Sequence, residues 1–239
     1  MTREFVAEFL GTALLLAVVV GSGIMGESLA GGNQAVALLA NSLATGSALV
    51  VLILVFAPIS GAHLNPVVTL SAAARGKLTW SKVAPCLLAQ VLGAFVGVAV
   101  AHVMFGEPAF TASSHIRSGP GQLVSEAVAT FGLVLTILAV ERSRPAAVPY
   151  AVALFIVSAY WFTASTSFAN PAVTLARGAT ATFAGIRPVD VPGFVVAQVV
   201  GAAGAVATFA WLWSPERAPG ADRRTVAGQG GLVDVADEA

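Results

Sequence analysis

His63-Leu64-Asn65-Pro66-Val67-Val68-Thr69-Leu70 and Phe168-Ala169-Asn170-Pro171-Ala172-Val173-Thr174-Leu175 decide how this chain is read. Both stretches contain Asn-Pro-x-Val-Thr-Leu. An Asn before Pro is a helix-start signature. The Asn side chain accepts from free backbone N–H groups, and Pro takes the first helical position, where its missing N–H costs nothing. Only a short helical run follows each Pro, ending near Gly76 in the first copy and between Gly178 and Gly185 in the second. Two such short helices in an otherwise apolar chain read as half-helices whose positive dipole ends point at one polar target. The Asn amides then supply N–H donors at a depth where lipid offers none.

Composition fixes the solvent around them. The 239 residues are 57% hydrophobic and 10% charged, with mean hydropathy +0.85 and zero formal net charge. A soluble domain carries roughly a quarter charged residues, so this is an integral membrane protein whose first partner is the lipid bilayer. Neutrality and so few cations argue against nucleic acid as a partner. Cys86 is the single cysteine and rules out a disulfide within one chain. It reads as a buried inert thiol, with a mercurial-sensitive pore thiol as the alternative. No small-residue cleavage site follows the first apolar run, so that run is expected to be a retained helix rather than a removed signal peptide. No nucleophile elbow, phosphate cradle or paired carboxylates occur, so neither an enzyme nor a cofactor is expected.

Apolar segments long enough to span, about 20 residues each, fall near 4–25, 36–57, 82–104, 122–141, 147–167 and 192–213. The expected fold is therefore all-α, with six transmembrane helices and two re-entrant half-helices. Residues 1–213 make the channel-like domain. The polar stretch 214–239, rich in Gly, Ala, Asp, Glu and Arg, is expected to be a disordered tail. Nine cations (Arg3, Arg75, Lys77, Lys82, Arg142, Arg144, Arg217, Arg223, Arg224) fall on one side and three (Arg117, Arg177, Arg187) on the other. The positive-inside rule then places both termini in the cytoplasm, in a multi-pass protein of the plasma (inner) membrane.

The halves repeat, about 1–105 and 120–213. Glu8-x-x-x-Thr12 matches Glu126-x-x-x-Thr130, and Ala89-Gln90-Val91-x-Gly93-Ala94 matches Ala197-Gln198-Val199-x-Gly201-Ala202. Three spans per repeat is an odd number, so the repeats are inverted and their half-helices enter from opposite faces. Glu8 and Glu126 are ionisable groups inside spans. They read as buried carboxyls accepting hydrogen bonds from re-entrant backbone, with a proton relay as the alternative. Gln90 and Gln198 read as polar supports for the same loops. Gly93-x-x-x-Gly97 and Gly201-Ala-Ala-Gly204 read as close helix packing. His63 reads as a structural histidine bonded to loop backbone and not as a metal ligand, because no Cys, His or acidic partner sits at ligand spacing. No metal is expected.

Ser60-Gly61-Ala62-His63-Leu64-Asn65-Pro66-Val67-Val68-Thr69 closely resembles the first signature of the aquaporin (major intrinsic protein) family, with Val67 in place of the usual Ala. Asn170-Pro171-Ala172 resembles the second, and Ala7-Glu8-Phe9-Leu10-Gly11-Thr12 is similar to the family's opening segment. The resemblance covers residues 4–213 and implies a homotetramer with one pore in every subunit. It also implies rejection of ions by pore diameter, lining donors and half-helix dipoles.

One departure is informative. The family generally places an Arg immediately after the second Asn-Pro-Ala; here that position is Val173. Carried over by spacing from the two Asn residues, the other filter positions fall on Thr45, Ser158 and Ser167. Such a constriction is expected to be wide, uncharged and free of aromatic rings. It would pass glycerol-like polyols, arsenite or methylated arsenicals and some water, leaving cation rejection to the dipoles at Asn65 and Asn170. Val173 with a small residue at Thr45 resembles a bacterial subgroup associated with arsenic resistance. Arg177, one turn beyond Val173, is either a vestibule charge replacing the missing Arg or a side chain snorkelling to the interface. A water-selective pore remains an alternative, as do a coupled secondary transporter and a structural membrane protein making junctional contacts.

Overall fold

Eight α-helices account for most of residues 3–214, which this computed structural model describes. They are α1 (Arg3–Leu29), α2 (Gln34–Ser60), α3 (Pro66–Ala74), α4 (Trp80–Phe105), α5 (Pro120–Ser143), α6 (Val148–Phe162), α7 (Pro171–Arg177) and α8 (Val191–Leu212). Six spans are long and apolar enough to cross a membrane; α6 reaches span length only with the single 3-10 turn Pro145–Ala147 before it. The nine-residue α3 and seven-residue α7 are the half-helices. The fold is therefore the all-helical arrangement that the repeat predicts, α1–α4 answering to α5–α8. The expected tail lies, from residue 215 on, outside the described residues.

Six traversals put both ends of the described chain on one face, here the proximal face. There Lys82 pairs with Glu4 at 2.9 Å and Lys77 with Glu141 at 3.7 Å. These pairs are exposed, so each stabilises little.

Small residues set the tightest crossings. A Cβ on Gly93 or Gly97 of α4 would strike the carbonyl oxygens of Phe9 or Ala13 in α1, and one on Gly201 of α8 would strike that of Ala127 in α5. Gly204 is looser: its Cβ would meet the Phe131 ring at 3.5 Å, an ordinary contact. With Ala94, Val98 and Ala101 fully buried, these crossings draw the helices together without side chains between them.

The fifth span differs from its expected extent. The apolar pattern runs to Ser167, but the helix stops at Phe162 because Thr163 leaves it in an extended conformation and Thr166 and Ser167 take φ of +60° and +52°. These left-handed turns reverse the chain and carry 163–170 back to Asn170. An unbroken apolar stretch hides such a reversal, because the segment after the turn is also buried.

On the distal face, the connection 107–119 between the repeats lies against 178–190. Thr111 N–H donates to Ala179 O at 3.0 Å, Ser113 N–H to Gly178 O at 3.2 Å and Arg187 N–H to His115 O at 2.8 Å. His102, to which the sequence assigns nothing, is buried and pins both segments. Its Nδ1 lies 2.6 Å from Pro108 O and its Nε2 lies 2.7 Å from Thr180 Oγ1.

Candidate functional site: two half-helices facing one cavity

Each half-helix starts at its Asn, as the Asn-Pro pair dictates. Asn65 Oδ1 accepts from Val67 N–H at 3.1 Å; Asn170 Oδ1 accepts from the N–H groups of Ala172 at 3.0 Å and Val173 at 3.3 Å. Pro66 and Pro171 occupy the first helical positions. The amide ends cross over: Asn65 Nδ2 donates to Ala169 O and Asn170 Nδ2 to Leu64 O, both at 2.8 Å. The repeats are thus clasped N-terminus to N-terminus. Each Asn amide carries two N–H bonds and this clasp uses one. Both Asn residues line the cavity, which leaves the second N–H for whatever fills it.

The acceptors of the clasp sit on strained backbone. Leu64 and Ala169, which precede the two Asn residues, have φ of +49° and +47°, and Ala62 has +48°. Non-glycine residues rarely adopt this region, at a cost of about 1–3 kcal/mol each. The buried carboxylates hold them there. Glu8 accepts from Ser60 Oγ (2.6 Å) and His63 N–H (2.9 Å) on Oε1, and from Leu64 N–H and Gln90 Nε2 (both 2.7 Å) on Oε2. Glu126 repeats this with Phe168 N–H and Ala169 N–H (both 2.9 Å) and Gln198 Nε2 (2.6 Å). Gln90 also reaches Thr69 Oγ1, and Gln198 reaches Thr174 Oγ1, tying each carboxylate to its half-helix. His63 sits at the cavity wall with Nδ1 3.2 Å from Thr69 Oγ1, so its partner is a hydroxyl and not the loop backbone expected.

The cavity has a volume of about 410 Å³ and extends along both half-helices, from Lys77, Arg75 and Glu141 proximally to Ser167, Val173 and Arg177 distally. One wall is apolar, built from α1, α2, α5 and α6 with Leu15, Val19, Leu49, Leu133, Val152 and Ile156. The other is the polar strip of the two loops. Glu8 and Glu126 stand behind that strip, outside the lining.

The expected filter residues divide. Thr45, Ser167 and Val173 are buried and line the cavity. Ser158 does not: it is exposed on α6, and its hydroxyl donates back to Phe155 O at 2.7 Å. Val148, Pro149, Val152, Ile156 and Tyr160 are the α6 residues that line the cavity, and Ser158 is about 200° around the helix from Ile156. Tyr160, two residues further on, lines the cavity where Ser158 does not. Its hydroxyl lies 3.3 Å from Thr45 Oγ1, so an aromatic ring does line this end, contrary to the ring-free expectation. The run Val152, Ile156, Tyr160 was the signal in the sequence. The Ser167 hydroxyl is buried with no hydrogen-bond partner among the described residues.

Arg177 also lines the cavity, so this end is not uncharged. It is 3% exposed, which removes the reading of a side chain snorkelling to lipid. Its Nε donates to Ala184 O and its guanidinium carbon stacks 3.4 Å from the centre of the Phe168 ring. Arg117, from the inter-repeat connection, approaches the same ring at 5.0 Å. Burial pushes the Arg117 guanidinium below its ordinary value, while the Glu126 carboxylate acts the other way. Nearby, Arg187 Nη2 pairs with Asp190 Oδ1 at 2.9 Å.

Comparison with known proteins gives the family. The family model described as Major intrinsic protein matches residues 1–146. The chain is 55% identical over 217 residues to the aquaglyceroporin AqpS of Rhizobium meliloti (strain 1021), covering 91% of this chain and 93% of that one. It is 32% identical over 155 residues to a glycerol uptake facilitator protein of Streptococcus pneumoniae, covering 58% and 64% respectively. Among solved structures, the aquaglyceroporin from Plasmodium falciparum matches with a TM-score of 0.67 and 26% identity, over 87% of this chain and 94% of that one. An inverted repeat clasped through two Asn-Pro half-helices, a cavity along both, and these similarities make the chain a member of the major intrinsic protein family, which are membrane channels and not enzymes.

Proposed function

We propose that the chain is a passive channel for small uncharged solutes: glycerol-like polyols, the neutral hydroxides of trivalent arsenic and its methylated forms, and some water. The observation that carries this reading is the two-sided lining of the cavity: the loop strip with Asn65, Asn170 and Ser167, and the Tyr160–Thr45 hydroxyl pair, set against the apolar wall of α1, α2, α5 and α6. A polyol has a hydroxyl edge and a carbon edge, matching a cavity with one polar strip and one apolar wall. The names of the similar proteins, an aquaglyceroporin and a glycerol uptake facilitator, point the same way.

Thr45, Tyr160, Ser167 and Val173 form the filter in this reading, and Asn65 and Asn170 offer their free amide N–H to the solute. Cations are turned away by the two half-helix N-termini and by the Arg177 guanidinium at the distal mouth. Coupled transport is disfavoured, because among the described residues Glu141 is the one acid lining the cavity, and it is paired with Lys77. We further propose that residues 1–213 are the conducting unit, that it assembles as a homotetramer in the plasma membrane, and that the proximal face, richer in Lys and Arg, is cytoplasmic.

Replacing Ser167 by Ala tests the filter. Glycerol permeability of proteoliposomes is expected to fall about fivefold, the size of one net hydrogen bond, while water permeability changes little. Unchanged glycerol entry would remove Ser167 from the solute path.

A further inference from the structure

Arg117 lies in the inter-repeat connection, outside both half-helices and outside the cavity lining. Its fork nonetheless reaches the two segments that shape the distal mouth. Nε donates to Gly185 O at 2.8 Å; Nη1 lies 3.3 Å from Ser165 O and 3.4 Å from Thr166 Oγ1. Its backbone N–H donates to Asp190 Oδ2 at 2.9 Å, and Arg187 holds Asp190 from the other side.

Three features link this fork to the pore. Ser165 and Thr166 immediately precede Ser167, and Thr166 and Ser167 are both held at positive φ, where an L residue stays only under outside constraint. Gly185 follows Ala184, whose carbonyl accepts from Arg177 Nε, so the two arginines grip adjacent peptide units of one loop. Both guanidinium groups also sit over the Phe168 ring. Among the described residues neither arginine has a carboxylate within salt-bridge distance. Two cations on one ring repel each other, and Arg177 is the one with the cavity beside it.

We infer that Arg117 is a positioning residue for the distal constriction: it fixes the segment presenting Ser167 and keeps the Arg177 guanidinium turned to the cavity. It touches no permeant and acts through Ser165, Thr166, Gly185 and Phe168. This rests on the reading of Ser167 and Arg177 as filter residues. The planar fork matters more than the charge, since a lysine ammonium is a compact point charge without a planar fork to engage Gly185 O and Ser165 O together.

The test measures glycerol and water permeability on the same proteoliposomes for the wild type, R117A, R117K and D190N. Their ratio cancels the number of inserted channels, so a purely structural role that lowers folded protein leaves it unmoved. The ratio is expected to shift about fivefold in R117A, by a similar factor in R117K, and in the same direction but less in D190N, where the fork remains and only its backbone anchor is weakened. A ratio equal to wild type in R117A overturns the inference, as does full rescue by R117K, which would make charge alone the determinant. Should R117A fail to insert, the R117K ratio decides. Wild-type vesicles that admit no glycerol would instead contradict the functional reading itself.

Discussion

Glu8→Gln is expected to unfold or severely destabilise the channel although it removes no heavy atom. Glu8 accepts two donors on each carboxylate oxygen: Ser60 Oγ and His63 N–H on one, Leu64 N–H and Gln90 Nε2 on the other. An amide has one accepting oxygen, so whichever way it is turned its NH₂ faces a backbone N–H, that of His63 or that of Leu64, which cannot accept; the Ser60 hydroxyl or the Gln90 amide beside it must turn to do so. Leaving that backbone N–H unsatisfied costs roughly 1–3 kcal/mol, and the strained backbone at Ala62 and Leu64 then lacks the anchor that holds it. Leu64 O is the acceptor for Asn170, so the clasp between the repeats loosens as well. The thermal unfolding midpoint of the detergent-solubilised protein checks this. A midpoint close to wild type with normal solute flux would contradict it; loss of proton conduction from an intact fold would revive the proton relay.

Val173→Arg carries the second large effect. Val173 is buried at the cavity, one turn before Arg177 on α7. A long cationic side chain here enters the space that a polyol must cross, and adds a like charge beside Arg177. Glycerol entry is expected to fall tenfold or more; tenfold corresponds to a barrier raised by about 1.4 kcal/mol. Water, being smaller, should lose less, so the variant shifts toward water selectivity. Proteoliposome swelling in a glycerol gradient, set against shrinkage in an impermeant sugar, separates the two. Equal loss of both fluxes would mean that the variant is misfolded or blocked, and unchanged glycerol entry would place Val173 outside the constriction.

What the sequence could reveal followed from features that repeat. Two Asn-Pro helix starts, two Glu-x-x-x-Thr segments and two Ala-Gln-Val-x-Gly-Ala segments fix the inverted architecture, because each pair does the same local task in each half. Glu8 and Glu126 had to serve the re-entrant backbone, since few other buried groups accept several N–H bonds. The filter was harder to read. Transferring Ser158 by distance from Asn170 assumes a fixed length of loop between α6 and α7, and the helix here ends at Phe162 with a double left-handed turn at Thr166 and Ser167. Which α6 face looks inward depends on that loop, and it brings in Tyr160. Arg117 was invisible for a different reason. Its partners at 165, 166, 185 and 190 are distant in sequence and mostly backbone atoms, which leave no residue pattern to read.

Stopped-flow light scattering on proteoliposomes of the unaltered chain distinguishes a passive solute channel from a water pore and from a coupled transporter. Vesicles are challenged first with an impermeant sugar and then with inward gradients of glycerol and of arsenite, with and without a proton gradient. A passive solute channel gives rapid re-swelling in glycerol and entry of arsenite, modest water flux, rates linear in solute concentration, and no effect of the proton gradient. Fast water flux with both solutes excluded would contradict it by showing a constriction narrower than Thr45, Tyr160, Ser167 and Val173 provide, and saturable, proton-dependent entry would replace the channel with a coupled transporter.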